Sequence, residues 1–284
     1  MVAARWGGWV VMLLVAVTSG AACGVNAGGS QTDDPAVLAT AQAPGAPTVD
    51  PTTAMFDQFD GPAGSPPDPA KWTVTRGTGW DTGVEDYMPG NAVLDGKGHL
   101  LIRAVKTATG YTSGRVQTKD LASFGYGTLT ARIKMPAGQG LWPAFWLVGA
   151  DEENNPWPGA GEINIVEMIS DPQKRYSSIH GPISGVSDYL QSQVSGPTAD
   201  MSTGFRNYWM THSRDSITMG VDDVVWATFT PDSLPPGAQW VFNKPFYVIL
   251  NLSVGGSWAG LPDETTPFPA AMLVDWVHWQ SASR

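Results

Sequence analysis

The chain has 284 residues, 42% of them hydrophobic, which is enough for one large core. The formal net charge is −10 and no basic patch is present, so nucleic acid is excluded as the expected partner. The 13 Trp provide broad aromatic faces, which either fill a core or stack on sugar rings. These features indicate one globular domain and leave a carbohydrate ligand open.

Residues 1–23 have the pattern of an export signal, which predicts an extracellular or cell-surface protein. Arg5 supplies the positive start, and the apolar run from Trp9 to Val17 is too short to span a bilayer. Small residues then lead to Cys23, the only cysteine, so no internal disulfide is expected. Two interpretations stay open: Cys23 is acylated as in a bacterial lipoprotein, or ordinary cleavage releases a secreted protein.

Residues 24–53 are rich in Ala, Gly, Pro, Thr and Asp and contain no aromatic residue. Such a composition does not form a core, so this segment is predicted to be a disordered tether. The composition changes abruptly after it, and residues 54–284 are predicted to be the folded domain.

The folded domain consists of short alternating apolar runs separated by turn residues, which predict strands. No stretch keeps a helical period over three turns, so an all-β, two-sheet sandwich is expected. The predicted strands cover residues 99–104, 111–118, 127–134, 141–148, 177–180, 216–221, 246–254 and 272–279.

The segment from Gly161 to Met168 places two carboxylates and an amide among β-branched residues. On a regular strand Glu162 and Asn164 share a face and Glu167 points to the other face. A one-residue bulge would bring all three to one face. On a helix, the five residues between the two Glu make roughly 500° of rotation, so the two side chains would diverge. Two convergent carboxylates about 5–5.5 Å apart are the working pair of a retaining glycosidase. The alternative is a strand with two solvated glutamates.

Several motifs, in order along residues 55–280, resemble family-16 glycoside hydrolases of the laminarinase-like type. The family motif Glu-x-Asp-x-x-Glu is matched by Glu162, Asn164 and Glu167, with one departure in the middle. The resemblance implies a β-jelly-roll, concanavalin A-like sandwich with a concave substrate cleft. The other matching segments are residues 136–147, 178–182, 249–258 and 272–277.

The resemblance makes Glu162 the nucleophile and Glu167 the acid/base of a retaining endo-β-1,3-glucanase acting on laminarin-like glucan. The expected protein is a monomer, needs no organic cofactor and meets a membrane only through a lipid anchor. Asn164 can donate N–H to Glu162 but cannot share a proton, and it leaves Glu162 easier to ionise. The alternatives are a transglycosylase and a surface glycan-binding protein with weakened chemistry.

Four tryptophans are candidates for stacking on sugar. Trp142 and Trp146 are four residues apart and share a strand face, which is either the cleft or the core. Trp157 and Trp258 lie next to Gly and Pro, which predicts loop positions, where binding residues concentrate.

The resemblance also assigns roles to isolated polar residues. His180 and Asn251 are each either a sugar contact or a structural residue. Asp275 matches a carboxylate that binds a structural calcium in many family members, together with main-chain oxygens near Gly98 and the N-terminal strand. Thr211 and His212 stand where the family usually has Glu and Trp, so specificity can differ from the family's.

Overall fold

The structure is a computed structural model that describes residues 55–79, 82–185 and 189–282. The predicted leader, Cys23 and the predicted tether lie outside these residues. Within them no helix is long and apolar enough to cross a membrane, and the helices are short 3-10 turns at Pro89–Asn91 and Pro231–Ser233. The strands are β1 Met55–Asp57, β2 Thr73–Val74, β3 Gly77–Thr78, β4 Glu85–Tyr87, β5 Ala92–Leu94, β6 Leu100–Lys106, β7 Tyr111–Ser113, β8 Arg115–Gln117, β9 Gly127–Lys134, β10 Leu141–Gly149, β11 Glu162–Glu167, β12 Lys174–His180, β13 Leu190–Pro197, β14 Arg206–Ser213, β15 Ser216–Val221, β16 Val224–Phe229, β17 Phe246–Val254 and β18 Ala270–Ser281.

These strands form two sheets. The seven-stranded sheet, called here the site sheet, has the order β13-β12-β11-β10-β17-β8-β2. The eleven-stranded outer sheet has the order β16-β15-β14-β9-β18-β6-β7-β4-β3, with β1 on β18 and β5 on β6. Apolar side chains of both sheets form one core, in which Phe145, Ile163 and Val277 are fully buried. The predicted all-β, two-sheet sandwich is confirmed.

One predicted strand is wrong. The alternating run at 111–118 is two strands: β7 belongs to the outer sheet and β8 to the site sheet. The chain changes sheets at Gly114, where a Cβ would lie only 2.4 Å from the carbonyl oxygen of Asn91. The alternation of side chains continues through the crossing, so the pattern alone does not reveal the break.

The predicted bulge in β11 is present at Ile165. The register between β10 and β11 skips this residue, and the register between β11 and β12 shifts over the same place. As a result Ile165 and Val166 both turn into the core. The hydrogen bonds of Glu162, Asn164 and Glu167 show that these three share the opposite face.

Candidate active site

A hydrogen-bonded chain links the two glutamates. Asn164 Nδ2 donates to Glu162 Oε1 at 2.9 Å and to Ser178 Oγ at 2.9 Å. Ser178 Oγ in turn lies 3.4 Å from Glu167 Oε2, close enough to donate to it. The common face predicted for the three motif residues is therefore confirmed, and Asn164 orients Glu162 as expected. Ser178 was not predicted as a site residue.

Glu162 is held from both of its oxygens. Trp157 Nε1 donates to Oε2 at 3.0 Å, while Asn164 bonds Oε1. His180 lies beside it, with Nε2 3.8 Å from Oε1. Trp157 stands in a turn, as predicted, and is 43% exposed, with Tyr189 packed edge-on at 5.1 Å. The carboxylate of Glu162 is therefore oriented from both oxygens and lies at the edge of the half-exposed Trp157 ring.

Glu167 lies beside an aromatic group of its own. Trp142 Nε1 donates to Glu167 Oε1 at 3.0 Å. The ring of Trp258 packs edge-on against Trp142 at 5.1 Å and against Tyr176 at 4.8 Å. Trp258 lies in a turn, as predicted. Tyr176 was missed, although its spacing of two from Ser178 on β12 places both on one face.

Trp146 faces the same side of the sheet but has different partners. Its Nε1 donates to Asn251 Oδ1 at 2.6 Å, and the guanidinium of Arg115 lies 5.0 Å above its ring. Asn251 Nδ2 donates to Tyr87 OH at 3.2 Å and to Ser253 Oγ at 2.9 Å. These bonds match the structural interpretation of Asn251, and a direct contact with sugar stays a prediction for it.

An open pocket of about 450 Å³ extends the site beyond Trp157, toward β8. Lys119 Nζ and Tyr247 OH both donate to Glu152 Oε2, at 3.0 and 2.8 Å. Burial raises the pKa of Tyr247 and the bond to Glu152 adds to the shift, so its hydroxyl stays protonated and remains a donor. Charged side chains and aromatic rings lie together in this lining, a combination that suits a sugar ring and its hydroxyl groups. The residues around it include Arg115, Gln117, Lys119, Glu152, Trp157 and Tyr247.

A buried carboxylate lies under one end of the site. Glu85 is 2% exposed, and its Oε2 accepts a bond from the backbone N–H of Val254 at 3.0 Å. Burial raises the pKa of Glu85, against the hydrogen bonds that favour its charged form. Its neighbour Val84, just before β4, is 40% exposed.

The residues expected to bind calcium lie on or near the outer sheet. The carboxylate of Asp275 is ion-paired with the guanidinium of Arg132. Gly98 lies beside Gln58 and Asp60, whose oxygens are 3.9 and 3.8 Å from where its Cβ would be. Within the described residues no group of three or more His, Cys, Asp or Glu is placed to hold a metal. Asp275 thus offers one carboxylate that already has a cationic partner, and this set does not fit calcium without displacing Arg132.

Comparison with known proteins agrees with this geometry. The family model "Glycosyl hydrolases family 16" matches residues 84–278. A beta-glucanase of Rhodothermus marinus is 32% identical over 240 residues, which are 78% of this chain and 82% of that protein. The laminarinase catalytic domain of Thermotoga maritima has a TM-score of 0.74 at 32% identity, covering 82% of this chain and 98% of that one. A beta-1,3-glucan-binding protein of Penaeus monodon is 30% identical over 188 residues, 57% of this chain and 51% of that protein. The chain therefore belongs to family 16 of the glycosyl hydrolases.

Proposed function

We propose that the chain is a retaining endo-β-1,3-glucanase that hydrolyses laminarin-like glucan. The observation that carries the proposal is the pair Glu162 and Glu167 on one face of β11, linked through Asn164 and Ser178. The two relatives named as a beta-glucanase and a laminarinase support a β-glucan substrate.

The mechanism follows from the two carboxyl groups. Glu162 attacks the anomeric carbon while Glu167 protonates the departing glycosidic oxygen, which leaves a sugar esterified to Glu162. Glu167, now ionised, takes a proton from water, and the water oxygen displaces Glu162 with net retention. The bonds from Trp157 and Asn164 aim the nucleophile, and the bond from Trp142 aims the acid.

Endo cleavage is supported by aromatic groups beside both carboxylates. Trp157 lies at Glu162, whereas Trp142 and Trp258 lie at Glu167. Sugars on both sides of the scissile bond would therefore each meet an aromatic face, which buries their C–H groups. A polysaccharide cut within the chain needs both sides occupied.

The test is a reducing-sugar assay on laminarin, mixed-linkage β-glucan, agarose and xyloglucan. We expect release from laminarin, with loss of roughly 10³-fold or more in kcat for Glu162→Gln and Glu167→Gln. Proton NMR of the first product should show the β-anomer. An inverted first product would contradict the retaining mechanism, and activity on agarose alone would replace glucan by galactan.

A glycan-binding protein is the second candidate, and Asn164 in place of the family's Asp is the observation that favours it. The beta-1,3-glucan-binding relative is 30% identical to this chain, and the beta-glucanase relative is 32% identical. Calorimetry with laminarin hexasaccharide separates the two candidates: binding without any release of reducing ends would establish the binder. Transfer to an added oligosaccharide acceptor in place of water would identify a transglycosylase.

Export and anchoring are part of the proposal. The apolar leader that ends at Cys23 supports lipidation, followed by a disordered tether at 24–53, and a monomer on the cell surface is expected. Mass spectrometry of the protein from its native host should find a diacylglyceryl group on Cys23. An unmodified N-terminus beyond this residue would leave plain secretion.

A further inference from the structure

A buried histidine lies between two backbone carbonyl groups on the side of β14. His212 is 2% exposed, with Nδ1 3.1 Å from the oxygen of Gly125 and Nε2 2.8 Å from the oxygen of Phe242. The rings of Tyr126 and Phe246 pack edge-on against it at 4.9 and 5.9 Å. The active-site chemistry described above does not use this residue.

The two carbonyls compete for one proton. A carbonyl only accepts, so both bonds exist together only when the imidazole is protonated. Burial lowers the pKa of His212, against the two carbonyls, which favour the charged form. The ring is therefore neutral at neutral pH and donates to one carbonyl only; we assign its N–H to Nε2, because the contact with Phe242 is the shorter of the two.

Phe242 belongs to a segment, residues 240–244, that packs behind the nucleophile strand. Gly161, the residue before Glu162, has φ +74°, and a Cβ there would lie 3.0 Å from Val241 Cγ2 and 3.3 Å from Phe242 Cε1. The start of β11 thus rests directly on this segment, with no room for a side chain between them. A shift of the segment would move the backbone that carries Glu162.

The same segment also holds the loop that carries Trp157. Lys244 Nζ lies 2.8 Å from Asp151 Oδ1 and donates to the carbonyl of Gly159 at 3.2 Å. Asn155 Nδ2 donates to the Gly159 carbonyl as well, at 2.7 Å. Residues 240–244 therefore contact two parts of the chain that lead into Glu162: the loop before it and the glycine next to it.

We propose that His212 is a positioning residue for Glu162, because its Nε2 bond to Phe242 ties residues 240–244 to the outer sheet. The inference rests on the hydrolase function proposed above, since it concerns the geometry of the nucleophile. His212 touches no reacting atom. It acts through Phe242 and Gly161.

Two amide substitutions separate positioning from general packing. In His212→Gln the amide nitrogen can take the place of Nε2 and bond Phe242, whereas in His212→Asn it can take the place of Nδ1 and bond Gly125. Both variants are neutral and polar, so they differ chiefly in which carbonyl they satisfy. His99→Gln is the control for loss of a histidine, because His99 bonds Asp95 and stacks on Phe205.

We expect His212→Asn to lower kcat on laminarin by about 10-fold or more with KM changed less than about 2-fold. His212→Gln should keep at least about half of the parent kcat, and His99→Gln should match the parent. Equal kcat in the Asn and Gln variants would overturn the inference, whatever their thermal stability.

Amide hydrogen exchange gives a readout that needs no catalysis. Residues 158–163 and 240–244 should exchange faster in His212→Asn than in His212→Gln. If the parent releases no sugar but this difference is found, the hydrolase function fails while the positioning role stands. If the parent is active and neither kcat nor exchange separates the two variants, the positioning role fails alone.

Discussion

At the scale of single residues, Asn164 keeps the geometry of the family motif while changing its charge. Its Nδ2 donates to Glu162 and to Ser178, so the amide links Glu162 to the residue that reaches Glu167. An aspartate at this place would accept bonds where the amide donates them. The orientation of Glu162 is thus preserved, and the shared proton is lost.

The first prediction is that Asn164→Asp raises kcat on laminarin, on the order of 10-fold, because a carboxyl group can share a proton with Glu162. The acid limb of the rate profile should move to higher pH, since a neighbouring carboxylate opposes ionisation. The variant should also lose about 1–3 kcal/mol of unfolding free energy, because a buried amide donor is removed. Rate profiles and urea unfolding measure both effects. A variant that stays inert while the parent binds laminarin would favour the binding protein.

Glu85 is a second residue of interest, because its buried surroundings disfavour the charged form of its carboxyl group. A Cβ on Gly79 would lie 2.5 Å from Oε1, and one on Gly83 would lie 2.6 Å from Oε2, so the carboxyl group is tightly enclosed. Among the described residues Oε1 has no hydrogen-bond partner. An enclosed carboxyl group of this kind favours its protonated form.

The second prediction concerns pH. Above the ordinary glutamate value of 4.5 the unfolded chain releases this proton, whereas native Glu85 keeps it up to its raised pKa. The native state therefore binds more protons in that window and loses stability as the pH rises. Glu85→Gln should be more stable than the parent at about pH 7, on the order of 1 kcal/mol, and equal to it near about pH 4. Urea unfolding at both pH values is the measurement. If Glu264→Gln, at an exposed position, raises the unfolding free energy by the same amount, the effect comes from the change in net charge and not from the burial of Glu85.

At the scale of elements, the loop before β11 depends on one ion pair. Lys244 contacts both oxygens of Asp151. Burial of this carboxyl group opposes its ionisation, but the bonds from Lys244 and Asn155 favour ionisation more strongly, so the pKa of Asp151 is lowered. Trp157, which donates a hydrogen bond to Glu162, lies on the same loop. The ion pair between Lys244 and Asp151, called here the clamp, thus affects the site by fixing the position of the loop that carries Trp157.

The third prediction is that Lys244→Met lowers kcat/KM on laminarin by roughly 3- to 10-fold, because Trp157 loses its fixed position. The unfolding free energy should fall by about 1 kcal/mol, as for a half-exposed pair. Lys106→Met, at an exposed lysine at the end of β6, is the matched control. Equal kcat/KM in the two variants would show that the loop stays in place without the clamp.

At the scale of the whole molecule, the proposed calcium ion would join the N-terminal strand, the Gly98 turn and β18. Arg132 stands against this, because its guanidinium already neutralises Asp275. Calcium binding at this place therefore requires that calcium displace Arg132 from Asp275. Binding would be measurable as a rise in the stability of the folded protein when calcium is added.

The fourth prediction is that calcium leaves the melting temperature of the parent unchanged relative to a chelator, because Arg132 already neutralises Asp275. Asp275→Asn should likewise melt at the same temperature with calcium and with EDTA. Thermal unfolding under both conditions is the measurement. A rise in the parent's melting temperature with calcium that Asp275→Asn abolishes would show that calcium displaces Arg132.

The sequence predicted the local features because they follow from alternation along one strand. The bulge at Ile165 was required for Glu162 and Glu167 to meet, and it is present. The strand at 246–254 matches β17 in both bounds. The crossing at Gly114 leaves no mark in the sequence pattern, because a strand that passes from one sheet to another keeps its alternation.

The sequence by itself determined the fold class, the common face of Glu162, Asn164 and Glu167, and the loop positions of Trp157 and Trp258. Each depends on neighbours within a few residues, where side-chain direction follows from backbone geometry. Only the tertiary structure decided that Ser178 and Tyr176 join that face, that Asn251 bonds Trp146, and that His212 holds residues 240–244. Those contacts depend on which distant strands become neighbours and in what register, and strand alternation along one segment carries no information about its partner.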